Sequence, residues 1–249
     1  MKVLITGLAY IPKKQMNNIL IHIPHSSKVI PFEYLNDYSD TIELSETVLK
    51  LTDTFVDELF YVDGVPQIIF PYSRVFCDVE RFLENELMEE KYGHGFYYVN
   101  GINLKPFRND SNKNFIRDYY YKPHHLLVEK TVREMDNPLI LDCHSFSNEI
   151  YPCTPFNDGE ELPHFIIGHN NKEREIQISD FIYNFLIELG FTVNINQLYS
   201  GSFMVYDCDS VMIEVNKKLY LKNDFLTKVV DYYKVACIIK NLIHKISMR

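Results

Sequence analysis

The sequence has little glycine, an odd number of cysteines and fewer basic than acidic residues. Nine glycines in 249 residues, with no dinucleotide or Walker A pattern, give no basis for a backbone phosphate cradle. The five cysteines contain no Cys-x-x-Cys pair, which argues against a zinc ribbon and a disulfide framework. Lys and Arg number 25 against 34 Asp and Glu, and this balance argues against nucleic acid or an anionic membrane as a partner.

Other familiar patterns are also missing. No Gly-x-Ser-x-Gly elbow is present, which weakens a serine hydrolase, and no His-Glu-x-x-His occurs. No segment reaches the roughly 18 consecutive apolar residues that a membrane-spanning helix needs. Reduced thiols fit a reducing compartment, so we expect a soluble, cytoplasmic protein. The sequence leaves open whether the chain forms a homo-oligomer.

Short apolar runs that end abruptly in polar residues recur along the chain. These runs cover residues 18–23, 65–70, 138–141, 165–167 and 210–213. They do not alternate clearly, which is typical of strands buried on both faces. Amphipathic helical stretches lie between them, at 44–59, 118–135, 176–189 and 225–246. The pattern predicts one α/β domain over 1–249, with a mostly parallel sheet flanked by helices and a long excursion at 83–115.

Histidines and carboxylates follow several of the predicted strands. His25 comes after the first, Asp142 and His144 after the third, and Glu214 after the last. Ligands of open α/β sheets bind outside the carboxyl ends of the strands, so these groups should share one rim. Imidazole and carboxylate suit Zn²⁺, and a catalytic zinc takes three protein ligands plus water. Alternatively, His25 is a solvated turn residue and 142–145 is a strand-terminating turn.

Glu214 is the least expected of these residues because three apolar residues precede it. A buried carboxylate must be paired, hydrogen-bonded or directed at a metal. Partial desolvation would raise its pKa and suit a general base. The alternative is a strand end that already lies in solvent.

Two arginines flank a short acidic segment in a chain where arginine is scarce. Arg74 and Arg81 could bind a substrate carboxylate, or they could pair internally with Asp78 and Glu80, and the sequence does not separate these alternatives. His94 lies in a glycine-containing loop. His125 adjoins another histidine, and only one of two neighbours can point inward.

Seven segments resemble the N-formylglutamate amidohydrolase (N-formylglutamate deformylase) family, in the family's order, from about residue 20 to 222. They are 23–27 (IPHSS), 52–60 (TDTFVDELF), 73–82 (SRVFCDVERF), 92–95 (YGHG), 119–125 (YYYKPHH), 142–146 (DCHSF) and 212–220 (MIEVNKKLY). The resemblance implies a zinc-exopeptidase (phosphorylase/hydrolase-like) architecture, akin to the metallocarboxypeptidases. It also implies an enzyme in which a zinc-activated water attacks an amide carbonyl.

The resemblance assigns roles to particular positions of this chain. His25 and His144 would bind the zinc, with Asp53 as the third ligand and Glu80 as its rival, and Glu214 would be the general base. Further residues would hold or polarise the substrate: Arg81 and Arg74 at its carboxylate, His94 and His125 at its carbonyl or in its orientation, and Tyr199 in a loop beside it.

The implied substrate is a small acidic N-acyl amino acid, by default N-formyl-L-glutamate, cleaved to formate and glutamate. The chain departs from the family pattern at Lys217, where the family often has Arg, at His164 and around Ser202. These departures keep two alternatives open. One is a peptide or cell-wall amide hydrolase of the same fold, and the other is a non-catalytic binder of an acidic metabolite.

Overall fold

The computed structural model describes residues 18–84, 87–202 and 206–249. The described strands are β1 (Ile19–Ile23), β2 (Gln67–Ile69), β3 (Leu139–Phe146), β4 (Phe165–His169), β5 (Val193–Ile195) and β6 (Asp209–Asn216). The described α-helices are α1 (Thr41–Leu51), α2 (Val56–Leu59), α3 (Leu87–Tyr92), α4 (Lys113–Ile116), α5 (Lys122–Arg133), α6 (Glu173–Glu188) and α7 (Tyr232–Ile246). Two 3₁₀ turns, at Phe32–Asp37 and Lys217–Leu219, and a π-helical segment at Arg117–Tyr121 complete them.

The six strands form one mixed sheet in the order β2-β1-β3-β6-β4-β5. Every neighbouring pair is parallel except β4 with β6, which is antiparallel. The longest pairing joins β3 to β6 and sets His144 opposite Glu214. The predicted α/β class with a mostly parallel sheet flanked by helices is therefore confirmed.

The two faces of the sheet have different chemistry. One face is apolar and packs Ile21, Leu141 and Ile213 in a cluster with residues of α2, α6 and α7. The opposite face is apolar near the start of β1 and β3, where Leu20 and Ile140 meet residues of α5, and again where Phe146 packs with Ile166. Successive side chains of a strand point to opposite faces, so the residues that alternate with those of the apolar face lie on this second face. Further along the strands, several of these residues are polar. The candidate site residues on the strands therefore lie on the second face.

Three local predictions differ from the structure. The helix predicted over 44–59 is broken, since α1 ends at Leu51 and α2 starts at Val56. Phe55, the residue just before α2, has a φ of 65°, in the left-handed region. The Thr52 hydroxyl donates a hydrogen bond back to the Val48 carbonyl. Competition of this kind between side chain and backbone is typical of helix ends. The break places Asp53 outside any helix.

The strands are also longer than predicted, and one was missed. Asp142, His144 and Glu214 lie within β3 and β6 rather than beyond their ends. The missed strand is β5, whose three residues are too few to form an apolar run in the sequence. Helix α7 begins at Tyr232, later than the periodicity suggested, and Phe225 itself has a φ of 56°.

No helix among the described residues combines the length and the apolar character needed to cross a membrane.

Truncating the apolar face should destabilise the protein strongly. Leu141 is fully buried in the cluster shared with α2, α6 and α7, so Leu141→Ala should lower the free energy of unfolding by about 2–5 kcal/mol. Leu126→Ala is the matched control, because Leu126 on α5 is 63% exposed and its loss should change stability by less than about 0.5 kcal/mol. Urea unfolding of both variants measures the difference, and equal losses would contradict this description of the core.

Candidate active site

A cavity of about 690 Å³ opens on the polar face of the sheet, near the carboxyl ends of its central strands. Strands β3 and β6, the loop after β1 and the break after α1 each contribute side chains to it. Nine of the residues to which the resemblance assigned a role line this cavity: His25, Asp53, Arg74, Glu80, Arg81, His94, His144, Tyr199 and Glu214. The fold thus gathers groups that lie up to 189 positions apart in the sequence.

Two imidazoles and one carboxylate converge at the base of the cavity. The Nδ1 atoms of His25 and His144 are 3.3 Å apart. Asp53 Oδ2 lies 3.4 Å from Nδ1 of His144 and 3.9 Å from Nδ1 of His25. All three residues are buried, and their donor atoms are close enough together to hold one metal ion. The backbone amide of Asp53 donates to the carbonyl of His25 at 2.9 Å, which fixes the segment after α1 against the loop after β1.

The outer nitrogen of each imidazole faces a buried carboxylate. His25 Nε2 is 2.8 Å from Asp78 Oδ1, and His144 Nε2 is 3.3 Å from Asp142 Oδ1. Metal-binding histidines in proteins usually donate their second ring N–H to such a group, which fixes the tautomer and the ring orientation. The second oxygen of Asp53 is also held, because the Ser145 hydroxyl donates to it at 3.0 Å.

Glu80 lies on the other side of the His144 ring from Asp53. Its carboxylate is 3.1 Å from Nε2 of His144, whereas Asp53 faces Nδ1. Glu80 also belongs to a second group of potential ligands, with His22 and Asp142, whose donor atoms lie within 4.8 Å of one another. Its Oε2 atom also lies 3.7 Å from Nδ1 of His25, so Asp53 and Glu80, the rivals for the third ligand position, both face the two imidazoles but at different nitrogens of His144.

The surroundings set opposite charge states for the two histidines. Burial lowers the pKa of His25 to about 4, and the Arg74 guanidinium adds to this effect, so the ring is neutral. Burial also disfavours the charged form of His144, but Glu80 and Asp142 outweigh it and hold the pKa of His144 well above its usual value. Burial, with Asp142 nearby, raises the pKa of Glu80 to about 7. A cation bound at His144 would therefore displace a proton.

Glu214 projects from β6 beside His144, its partner in the strand pairing. The residue is only 8% exposed, and its Oε2 atom has no hydrogen-bond partner among the described residues. Burial raises the pKa of Glu214 to about 8. A carboxyl group that lines a cavity and lacks a structural partner is able to exchange a proton with a bound molecule.

The cationic side chains of the cavity are engaged to different degrees. Arg74 donates through Nε and Nη2 to Asp78 at 3.0 and 2.8 Å, so it forms the internal ion pair that the sequence left as one alternative. Lys217 is 4% exposed, donates to the Lys50 carbonyl at 3.1 Å and lies 3.9 Å from Asp53 Oδ1. Arg81 keeps a quarter of its side chain exposed and lies 3.9 Å from Asp78. Arg81 is thus the arginine of this pair that extends further toward solvent.

Three other predicted residues have distinct surroundings. His94 is buried, stacks on Tyr98 with ring centroids 4.5 Å apart and contacts the Gly101 carbonyl. Tyr199 packs near Phe146 on the cavity wall. His125 is not among the residues that line the cavity. Its Nδ1 atom is 2.7 Å from the Tyr206 hydroxyl, and its ring packs on Tyr121. The role predicted for His125 at the substrate carbonyl has no geometric support, because α5 directs the neighbouring His124 toward the sheet instead.

Sequence reasoning missed His22, which lies inside an apolar run and contacts both Asp142 and His124. His22 follows Leu20 by two positions, so it lies on the strand face opposite Ile21 and Ile23, and this alternation is the signal that could have found it. Asp78 and Lys217 were noticed only as a salt-bridge partner and as a departure from a pattern. Their contacts with His25 and Asp53 depend on the tertiary structure.

Comparison with known proteins bears on the family and the fold of this chain. The sequence model of the N-formylglutamate amidohydrolase family matches residues 17–221. The crystal structure of N-formylglutamate amidohydrolase from Ralstonia eutropha JMP134 superposes with a TM-score of 0.83 at 18% identity, covering 96% of this chain and 95% of that one. A gene product of Agrobacterium tumefaciens superposes with a TM-score of 0.61 at 17% identity, covering 92% of each chain.

At these identities the structural likeness shows the fold. No curated protein shows significant sequence similarity to the chain. The family match covers more than four-fifths of the sequence and includes all seven of the resembling segments. The chain therefore belongs to the N-formylglutamate amidohydrolase family, a family of hydrolases, as its motifs predicted.

Proposed function

We propose that this protein is a zinc-dependent amidohydrolase that cleaves the acyl amide of a small acidic N-acyl amino acid, with N-formyl-L-glutamate as the default substrate. Hydrolysis would give formate and glutamate. The observation that carries the proposal is the convergence of His25, Asp53 and His144 at the base of a cavity that Glu214 also lines. Membership of the family supports the reaction class.

The donor set fits zinc in both chemistry and size. Zinc bound tetrahedrally, at about 2.0–2.1 Å from each ligand, sets neighbouring ligand atoms roughly 3.3–3.4 Å apart. The three separations in this group are 3.3, 3.4 and 3.9 Å. Three protein ligands with an open fourth position are characteristic of catalytic rather than structural zinc. We therefore assign Asp53 as the third ligand and Glu80 as an outer partner of His144.

The charges around the site also suit one divalent ion. Five carboxylates surround the two histidines, all buried except the half-buried Glu80: Asp53, Asp78, Glu80, Asp142 and Glu214. Three cationic side chains face them: Arg74, Arg81 and Lys217. If all of these groups are ionised, two negative charges remain, which one divalent cation balances. Unbalanced charge in a desolvated site is strongly unfavourable.

Glu214 is the residue of the chain that would move the proton. A zinc ion at such a site lowers the pKa of water and polarises a carbonyl oxygen. Glu214 would accept a proton from the attacking water and later donate it to the amine that leaves. Burial raises its pKa to about 8, near the range in which one carboxyl can act both as acid and as base, and this supports the proposed role.

Arg81 would bind a carboxylate of the substrate. Arg74 pairs with Asp78, and Lys217 donates to the Lys50 carbonyl, so each of these two cations contributes a buried contact to the fold. Arg81 lines the cavity with a partly exposed side chain. A guanidinium in that position can pair with a carboxylate through two parallel hydrogen bonds.

Glu214 should make the metal-free protein less stable as pH rises. Its folded pKa of about 8 exceeds the usual 4.5, so above pH 4.5 the unfolded chain loses a proton that the folded chain retains. Stability should therefore fall between about pH 5 and 8, by at most about 1.4 kcal/mol per pH unit. Denaturant unfolding in a chelator should show this slope for wild type relative to Glu214→Gln, and parallel profiles would contradict the buried carboxyl.

Replacing Asp53 should damage zinc binding more than replacing Glu80. Asp53→Asn removes a ligand, whereas Glu80→Gln alters an outer partner, for which a 10–100-fold loss of metal affinity is typical. We expect wild type to bind one zinc per chain, and Asp53→Asn to lose more than about 100-fold in affinity. Competition against a chromogenic chelator measures both constants. A greater loss in Glu80→Gln would reverse the assignment of the third ligand.

Loss of the carboxylate of Glu214 should abolish most turnover without loss of metal. General acid–base catalysis contributes about 10²–10⁴-fold, so Glu214→Gln should lower kcat by that factor while zinc content stays at the wild-type level. Formate release from N-formyl-L-glutamate is the assay, with N-formyl-L-glutamine as the comparison substrate. Zinc-loaded wild type that stabilises thermally with ligand but releases no formate would favour the non-catalytic binder.

A further inference from the structure

Beside His144 lies a row of buried groups that the mechanism does not use, and of its members other than His144 only Asp142 also lines the cavity. His22 Nδ1 is 2.9 Å from Asp142 Oδ1, and His22 Nε2 is 2.9 Å from Nε2 of His124. His22 and His124 are each 5% exposed, and Asp142 is 1% exposed. The row joins α5 through β1 to β3, and ends at His144, a proposed zinc ligand.

Asp142 shares one oxygen between two imidazoles. Its Oδ1 atom lies 2.9 Å from Nδ1 of His22 and 3.3 Å from Nε2 of His144. The other oxygen is 3.4 Å from the Ser202 hydroxyl, a longer contact. A buried carboxylate needs donors to stay ionised, and the shortest of these contacts is with His22. The position of the oxygen that faces His144 therefore depends on His22.

The protons of the row can be assigned in one consistent way. His144 directs Nδ1 at His25 and Asp53, so Nε2 carries the proton that faces both Asp142, at 3.3 Å, and Glu80, at 3.1 Å. His22 donates from Nδ1 to the same carboxylate, which leaves its Nε2 as an acceptor for Nε2–H of His124. Burial, together with the neighbouring His22, holds the pKa of His124 well below its usual value, so His124 is neutral and carries one ring proton.

We propose that His22 is a positioning residue for the zinc site, which holds Asp142 in place and through it fixes the tautomer and orientation of His144. This inference rests on the proposed function. It adds a residue from β1 that neither touches the substrate nor binds the ion. A change at His22 should therefore act on metal affinity through Asp142, with a loss near the lower end of the range typical of outer partners.

A second ion held by His22, Glu80 and Asp142 is the competing interpretation of the same residues. Two observations favour the hydrogen-bonded row. The 2.9 Å between His22 and Asp142 is a normal hydrogen-bond length and is shorter than the roughly 3.3–3.4 Å between neighbouring ligands of tetrahedral zinc. The balance of carboxylates and cations around the cavity also calls for one divalent ion rather than two.

The test compares two amides at position 22. The side-chain nitrogen of Asn lies where Nδ1 of His22 lies, so His22→Asn keeps the donor to Asp142. The nitrogen of Gln lies nearer to the place of Nε2, so His22→Gln directs its donor at His124 instead. Zinc stoichiometry and affinity are measured by chelator competition, and the melting temperature of the metal-free protein serves as the structural control.

We expect one zinc per chain in wild type and in both variants, an affinity within about threefold of wild type for His22→Asn, and a loss of about tenfold for His22→Gln. The melting temperatures of the two metal-free variants should agree. Equal affinities for wild type and His22→Gln would overturn the proposal, and so would equal losses in both variants that follow their melting temperatures. Two zinc ions in wild type, one of them lost in both variants, would establish the second-ion interpretation instead.

The outcomes also separate this inference from the proposed function. If the wild-type protein binds no divalent metal, both the proposed function and the role of His22 are contradicted. If it binds zinc tightly and substitutions at position 22 do not change the affinity, only the role of His22 is overturned. If His22→Gln does not fold, His124→Leu replaces it, because that change removes the outer partner of His22. A loss of a few-fold in zinc affinity is then expected, and an unchanged affinity would overturn the proposal.

Discussion

The site depends on keeping several carboxylates ionised inside a protein. Asp78 does so because Arg74 and His25 hold its pKa well below the usual range despite its burial. Asp142 relies on His22 and His144. Each carboxylate thus fixes the imidazole or guanidinium that compensates it. The same contacts that make the burial tolerable orient the rings around the place where we assign a metal, so stability and preorganisation have one origin.

Because one face of the sheet carries polar and charged groups, the hydrophobic core must be formed mainly on the other face. The apolar cluster on the other side of the sheet, with α2, α6 and α7, supplies most of the packing around Leu141 and Ile213. The break between α1 and α2 brings Asp53 to the polar face, because Asp53 lies outside the helix there and its amide donates to the His25 carbonyl. A continuous helix would have left that carboxylate on a helix surface rather than beside His144.

Much of this arrangement was accessible from the sequence. Apolar runs gave the strands, and the polar residues following them gave His25, His144 and Glu214, all of which line the cavity. The proposed third ligand is not derivable from spacing, since the pattern predicts a mid-helix position for Asp53, and only the resemblance favours Asp53 over its rival Glu80. His22 was hidden because an apolar run masks alternation, and His125 was favoured over His124 because sequence cannot say which of two adjacent rings a helix turns inward. Such choices are made by long-range contacts.

The pairing of His144 with Glu214 across β3 and β6 restricts how this protein can diverge. A one-residue insertion or deletion in either strand would rotate one of the two side chains to the apolar face. Sequence length can therefore vary at low risk only outside the strands, as in the segments at 147–162 and 196–202, which also reach the cavity wall. Relatives that acquire a different substrate should differ mainly in those loops, while the lengths and pairing register of the central strands stay the same.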